Sequence, residues 1–150
     1  MNGAADLKPT DLIGTWRLRS WELMLENGNA EEPFGRDPQG IVVYTTGGTM
    51  ITTIGRRDRV RAGRDLVTAT DDARLAAVST FVAYSGRYLV DGDDVVHTVE
   101  MSLDPAWVGT RQRRHVELSG DRSTLILSTD PLVVVGRTGR HRLTWERVEG

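Results

Sequence analysis

The chain has no cysteine, which excludes disulfides, thiolate nucleophiles and thiolate-held metals together. Neither sign of charge is in large excess: 19 basic residues against 21 acidic leave a formal net charge of -2. No overall attraction to nucleic acid or to an anionic membrane follows from that balance. No apolar run approaches the roughly 20 residues of a membrane-spanning helix, and MNGAADLKPTDLIG at the start lacks the basic-then-apolar pattern of a secretory signal. A soluble, cytoplasmic protein is the expectation. Lysine occurs once, at Lys8, and the other basic residues are all arginine, a bias given no functional weight. The phosphate-binding patterns GxxxxGK[ST] and GxGxxG and the nucleophile elbow GxSxG are also missing, so no cofactor is expected. His97, His115 and His141 fall on separate strand-like stretches, so no metal site is expected.

What is present is a period of two. With 150 residues and 39% hydrophobic content, the chain suits one domain spanning residues 1–150 with a single core. From Trp16, the residues Trp16, Leu18, Ser20, Glu22 and Met24 share one face, read as inward, which puts Trp21 outside unless a bulge intervenes. IVVYTT and TMITTI flank Gly47-Gly48, a pair suited to a two-residue hairpin. Residues 55–69 are arginine-rich but interrupted by Asp58 and Asp65 and free of aromatics, which reads as a solvated connection or a lid over a barrel mouth. Thr70-Asp71-Asp72 supplies an N-cap and an acidic first turn for a helix to about Phe81, with Leu75, Val78 and Val82 on one side. Five further strands follow, FVAYSGRYLV, DVVHTVEMSL, GTRQRRHVEL, STLILST and HRLTWERV. About eight strands and one helix amount to an all-β antiparallel barrel or sandwich.

The inward faces carry polar groups. Tyr84 and Tyr88 alternate inward with Val82 and Val90, His97 with Val95, Val99 and Met101, and Gln112 and Arg114 lie opposite the solvated Arg111, Arg113 and His115. A buried polar group without a partner costs about 1 to 3 kcal/mol, so these side chains bond one another, ordered water or a ligand.

Gly14-Thr15-Trp16 resembles the G-x-W signature at the start of lipocalins and other calycin barrels. More specifically, the chain is similar to the bacterial and fungal lipocalin-like domain family through GTWRLRSWE (14–22), PFGRDPQGIVVYTTGGTM (33–50), AYSGRY (83–88), VHTVEMSLDPAWVGTRQRR (96–114) and LTWER (143–147). Residues 55–69 and 131–139 match nothing in that pattern. The resemblance implies an up-and-down barrel of about eight to ten strands with a small-molecule cavity, and a floor closed by Trp16 beneath Arg147.

The expected function is binding of one small, mainly apolar ligand bearing a polar or anionic group. Tyr84, Tyr88, His97, Gln112 and Arg114 are the candidate orienting groups, and Met50, Met101 and Trp107 the candidate lining. Met50 and Met101 equally suit ordinary packing, and Trp107 either caps the mouth or anchors its loop. Two alternatives stay open: a cofactor-free cyclase or isomerase in which His97, Tyr84 or Arg114 assists proton transfer or carbonyl polarisation, and a structural or interaction module with no ligand. A homodimer is also left open.

Overall fold

Strands that alternate apolar and polar residues must bury one face, and a sheet closed on itself does so without leaving an edge. In the computed structural model, which describes residues 7–148, ten strands do this: β1 (Gly14–Met24), β2 (Ala30–Glu31), β3 (Gln39–Tyr44), β4 (Thr49–Gly55), β5 (Phe81–Asp91), β6 (Asp94–Ser102), β7 (Arg111–Leu118), β8 (Thr124–Ser128), β9 (Leu132–Val134) and β10 (Arg137–Arg147). Eight of them, in the order β1-β3-β4-β5-β6-β7-β8-β10, form an antiparallel barrel closed by pairing of β1 with β10, while β2 and β9 add to β1 and β10. The fold is all-β and calycin-like, as expected. Two helices accompany it, the single turn α1 (Pro9–Leu12) and α2 (Asp71–Ser79). Among the described residues no helix is long and apolar enough to cross a membrane.

One end of the barrel is sealed. Arg147 Cζ lies 4.1 Å from the centroid of the Trp16 ring, and the guanidinium donates to the carbonyls of Ile13, Asp11 and Arg122 at 2.9, 2.9 and 3.0 Å. The Trp16 indole N–H donates to Leu12 O at 2.9 Å, so the residue has no free polar group and no exposed surface.

Two bulges change which side chains face inward. The β1–β10 register steps between Leu18 and Ser20, which makes Arg19 an extra residue and inverts the alternation beyond it. Trp21 and Leu23 therefore point inward, at 2% and 1% exposure, and the expectation that Ser20, Glu22 and Met24 line the interior is overturned. A second step, between Ser85 and Gly86 of β5, leaves Glu100 unopposed on β6, so that Ser85 pairs with Met101 but Gly86 with Val99. Met101 is thereby turned outward, 69% exposed, and does not line the cavity.

Turns and helix also depart from expectation in detail. The β3–β4 hairpin closes through Gly48 N to Thr45 O and Thr45 N to Thr49 O, and only Gly48 of the glycine pair has positive φ. That is a three-residue loop with a bulge glycine, not a two-residue turn. Thr70 caps α2 through Ala73 N at 3.2 Å, but the helix ends at Ser79 and buries no side chain. Leu75 and Val78 remain 65% and 50% exposed, on the rim of the open end. Residues 131–139 form the β9–β10 hairpin that overhangs the same rim.

Candidate ligand-binding site at the open end

The site starts from a buried imidazole. His97, 1% exposed on β6, is bracketed by two phenols: Tyr44 Oη from β3 is 2.7 Å from Nε2 and Tyr84 Oη from β5 is 2.8 Å from Nδ1. Burial drives the His97 pKa well below the usual histidine value, with the Arg114 charge acting in the same direction, so the ring is neutral at neutral pH and carries one N–H. Tyr44 has no other hydrogen-bond partner among the described residues. The two bonds to His97 use two of the three hydrogens present. Because Tyr44 is enclosed in the core whereas Tyr84 lines the throat, the spare hydrogen falls on Tyr84 when Tyr44 donates to Nε2 and the Nδ1–H donates to Tyr84. The Tyr84 hydroxyl hydrogen is then free to serve the cavity. Burial also raises the pKa of both phenols, against the opposing pull of Arg114, so both remain protonated donors.

Arg114 on β7 is the second element. It is 8% exposed, donates to Arg113 O at 3.1 Å, and forms no ion pair with any described carboxylate. The neighbouring Arg113, by contrast, faces solvent and holds Asp91 and Asp94 at 2.7 and 2.8 Å. Alternation along β7 thus sends one arginine out to carboxylates and the next inward with none.

Trp107 is the third. Asp104 accepts from Ala106 N at 3.0 Å and Pro105 opens the 3-10 turn of Pro105–Trp107, which sets the indole ring 5.4 Å from that of Tyr84 and 6.0 Å from Arg114 Cζ. The ring packs on the site and caps it, half-buried at the mouth.

Tyr84, Trp107, Val82 and Val134 line two adjoining spaces. Inward lies a throat of about 50 Å³, walled also by Trp21, His97, Arg114, His141 and Trp145. Outward lies a vestibule of about 510 Å³ walled by Leu75, Val78, Phe81, Leu103 and Val135. The throat has room for ordered water or the head of a ligand, whereas the vestibule is of the size that holds a small molecule. The interior is therefore mostly filled by side chains, and the roomy part is at the mouth.

Of the expected lining, Tyr84, His97, Arg114 and Trp107 come together here. The rest do not. Tyr88 packs edge-on against Tyr44 and donates to Thr45 O at 2.6 Å; Gln112 donates to Thr110 Oγ1 at 2.7 Å; Met50 is wholly buried in the core. No residue of 55–69 lines the throat or the vestibule. Arg56, Arg57 and Arg59 instead bond Pro33 O, Asp37 and Ala77 O, and it is α2 that forms the rim.

Trp21, Tyr44, His141 and Trp145 are the site residues that the sequence reading did not single out. Trp21 is hidden by the β1 bulge. Tyr44 follows three consecutive apolar residues, Ile41, Val42 and Val43, which conceal its parity. His141 and Trp145 share the parity of Leu143 on β10, a usable signal. His141 is fully engaged, but the Trp145 indole N–H is buried with no partner. Among the described residues, no three His, Asp or Glu side chains converge as metal ligands do.

A model of the lipocalin-like domain matches residues 13–148. A curated relative, the 4'-hydroxy-3'-methoxypropiophenone carrier protein of Aspergillus oryzae, is 39% identical over 95 residues, covering 57% of this chain and 84% of the relative. With the closed barrel, the Trp16–Arg147 floor and the match along almost the whole chain, the protein belongs to the lipocalin-like domain family.

Proposed function

We propose that the protein carries a small, mainly apolar molecule whose polar or anionic group enters the throat while its body fills the vestibule. The observation that carries this reading is Arg114: a guanidinium 8% exposed, without a carboxylate, in the wall of a throat of about 50 Å³ that adjoins a mainly apolar space of about 510 Å³. Burying a charge costs several kcal/mol unless something pairs it, and an incoming oxygen acceptor would supply that partner. Trp107 and Tyr84 offer ring faces and edges to an aromatic body.

The relative described as a carrier of 4'-hydroxy-3'-methoxypropiophenone supports the same class of cargo, because that compound combines a flat apolar ring with oxygen acceptors. His97 presents no free base to a ligand, since both ring nitrogens are engaged, which favours carriage over proton abstraction. Titration of tryptophan fluorescence and thermal shift with a panel of aryl ketones and aryl acids tests the proposal. Saturable quenching with a raised melting temperature is expected from at least one member. Flat titrations across the whole panel would count against it.

A further inference from the structure

The throat is rich in free hydrogens and has no anionic acceptor in its lining. Trp145 is 2% exposed, lines the throat, and its indole N–H meets no acceptor. An indole can only donate. Arg114 has guanidinium N–H groups beyond the one given to Arg113 O, and it too can only donate. Tyr84 brings the hydroxyl hydrogen that its bond from His97 leaves free.

The ring-nitrogen acceptors nearby are spoken for. His141 Nδ1 receives Trp21 Nε1–H at 3.0 Å, and both nitrogens of His97 are occupied. The remaining acceptors are neutral hydroxyls: Thr129 Oγ1 accepts from His141 N at 3.0 Å, and Thr52 Oγ1 gives its hydrogen to Ile41 O at 2.9 Å but keeps its lone pairs. Three donors, one of them cationic, thus line a space with no carboxylate among the described residues and only neutral oxygens as free acceptors. A neutral hydroxyl entering this space could give its hydrogen only to another neutral oxygen and would leave the guanidinium without a counter-charge, whereas an oxyanion would supply that charge and bring only lone pairs.

Resting on the carrier reading above, we propose that the throat selects the ionised form of an acidic aryl ligand, a phenolate, held by Arg114 and Tyr84 with Trp145 as an additional donor. On binding, the phenol gives its proton to solvent, and its ionisation midpoint falls. The phenolate is the occupant because the vestibule beyond is apolar and suits the rest of an aromatic molecule. Hydrogen bonds to an ionised acceptor are stronger than those to a neutral one, and three donors fixed by the barrel lose little freedom in making them.

The test uses 4'-hydroxypropiophenone and its O-methyl ether with the full-length protein. Binding of each is measured by calorimetry across the phenol's titration range, and the red-shifted phenolate absorption of the bound phenol is followed against pH. The bound phenol is expected to ionise at least about one pH unit below the free compound, equivalent to roughly tenfold tighter binding of the anion, while the ether binds more weakly and without pH dependence. Arg114→Gln should abolish the displacement and Trp145→Phe should reduce it. The wild-type comparison of phenol with ether keeps the test decisive if either variant fails to fold. A bound phenol that ionises at or above its free midpoint overturns the inference and leaves the carrier reading standing. No saturable binding of either compound overturns the inference, and overturns the carrier reading as well where the wider aryl panel is also flat. A Trp145→Phe protein with unchanged affinity and midpoint removes the indole from the site.

Discussion

Trp21 donates its indole N–H to His141 Nδ1 at 3.0 Å, and this one bond sets how the mouth is built. With Nδ1 accepting, the hydrogen must sit on Nε2, which lies 3.1 Å from Leu132 O and 3.2 Å from Arg137 O. The imidazole therefore clamps both arms of the β9–β10 hairpin to the inner wall of β1, and Val134 of that hairpin borders throat and vestibule alike.

His141→Phe keeps the bulk but orphans the Trp21 N–H and frees two hairpin carbonyls. A loss of about 1 to 3 kcal/mol is expected, with faster amide exchange confined to residues 131–139. A uniform rise in exchange over the whole barrel would contradict the clamp.

The two buried histidines also fix the direction of pH dependence. Burial lowers the pKa of both His97 and His141, and Arg114 adds to the effect at each. A lowered pKa means that the unfolded chain takes up protons the folded barrel refuses. This contribution is whole above the unfolded value of 6.5 and erodes as pH falls below it, by about 1.4 kcal/mol per pH unit for each histidine until its folded pKa is passed. His115 acts oppositely, its pKa raised by Asp130 and then Asp94, so its contribution is lost as pH rises, but its exposed position keeps that small. Melting temperature should fall between about pH 7 and about pH 5, and His97→Gln should flatten the profile. A flat wild-type profile would refute the argument.

Much of this arrangement was legible in the alternation of residues. Tyr84 on β5, His97 on β6 ahead of its bulge and Arg114 on β7 each sit in a local two-residue period, and the structure places all three at the throat. What escaped has a common cause: a bulge adds one residue and reverses every later side chain. Trp21 and Met101 exchange inside for outside because Arg19 and Glu100 are extra residues in their ladders. The partnership of Tyr44 with His97 spans 53 residues and depends on strand register, which no local pattern encodes. Leu75 and Val78 do share a helix face, but that face borders the vestibule instead of the core.

Gly86 follows from the same bulge. A Cβ there would lie 1.9 Å from Thr98 O, a backbone atom held in the β5–β6 ladder. Gly86→Ala is expected to cost on the order of 3 kcal/mol, read as a lowered denaturation midpoint or loss of soluble protein. Gly120→Ala, where a Cβ meets nothing within 4 Å, is the matched control.

The two inward arginines should respond to substitution in opposite ways. Arg147 stacks on Trp16 and satisfies three carbonyls, so Arg147→Lys, which loses the planar fork, is expected to cost about 2 to 4 kcal/mol of stability. Because the floor borders neither the throat nor the vestibule, ligand affinity of the folded fraction should not change. Arg114 is a buried cation without a carboxylate, and Arg114→Met replaces it with apolar bulk. That exchange should leave stability unchanged or raise it by about 1 to 2 kcal/mol, while ligand affinity falls at least about tenfold. Chemical denaturation paired with ligand titration measures both quantities on each variant. If Arg114→Met were strongly destabilising with affinity intact, Arg114 would be a structural residue and the throat would lose its anchor.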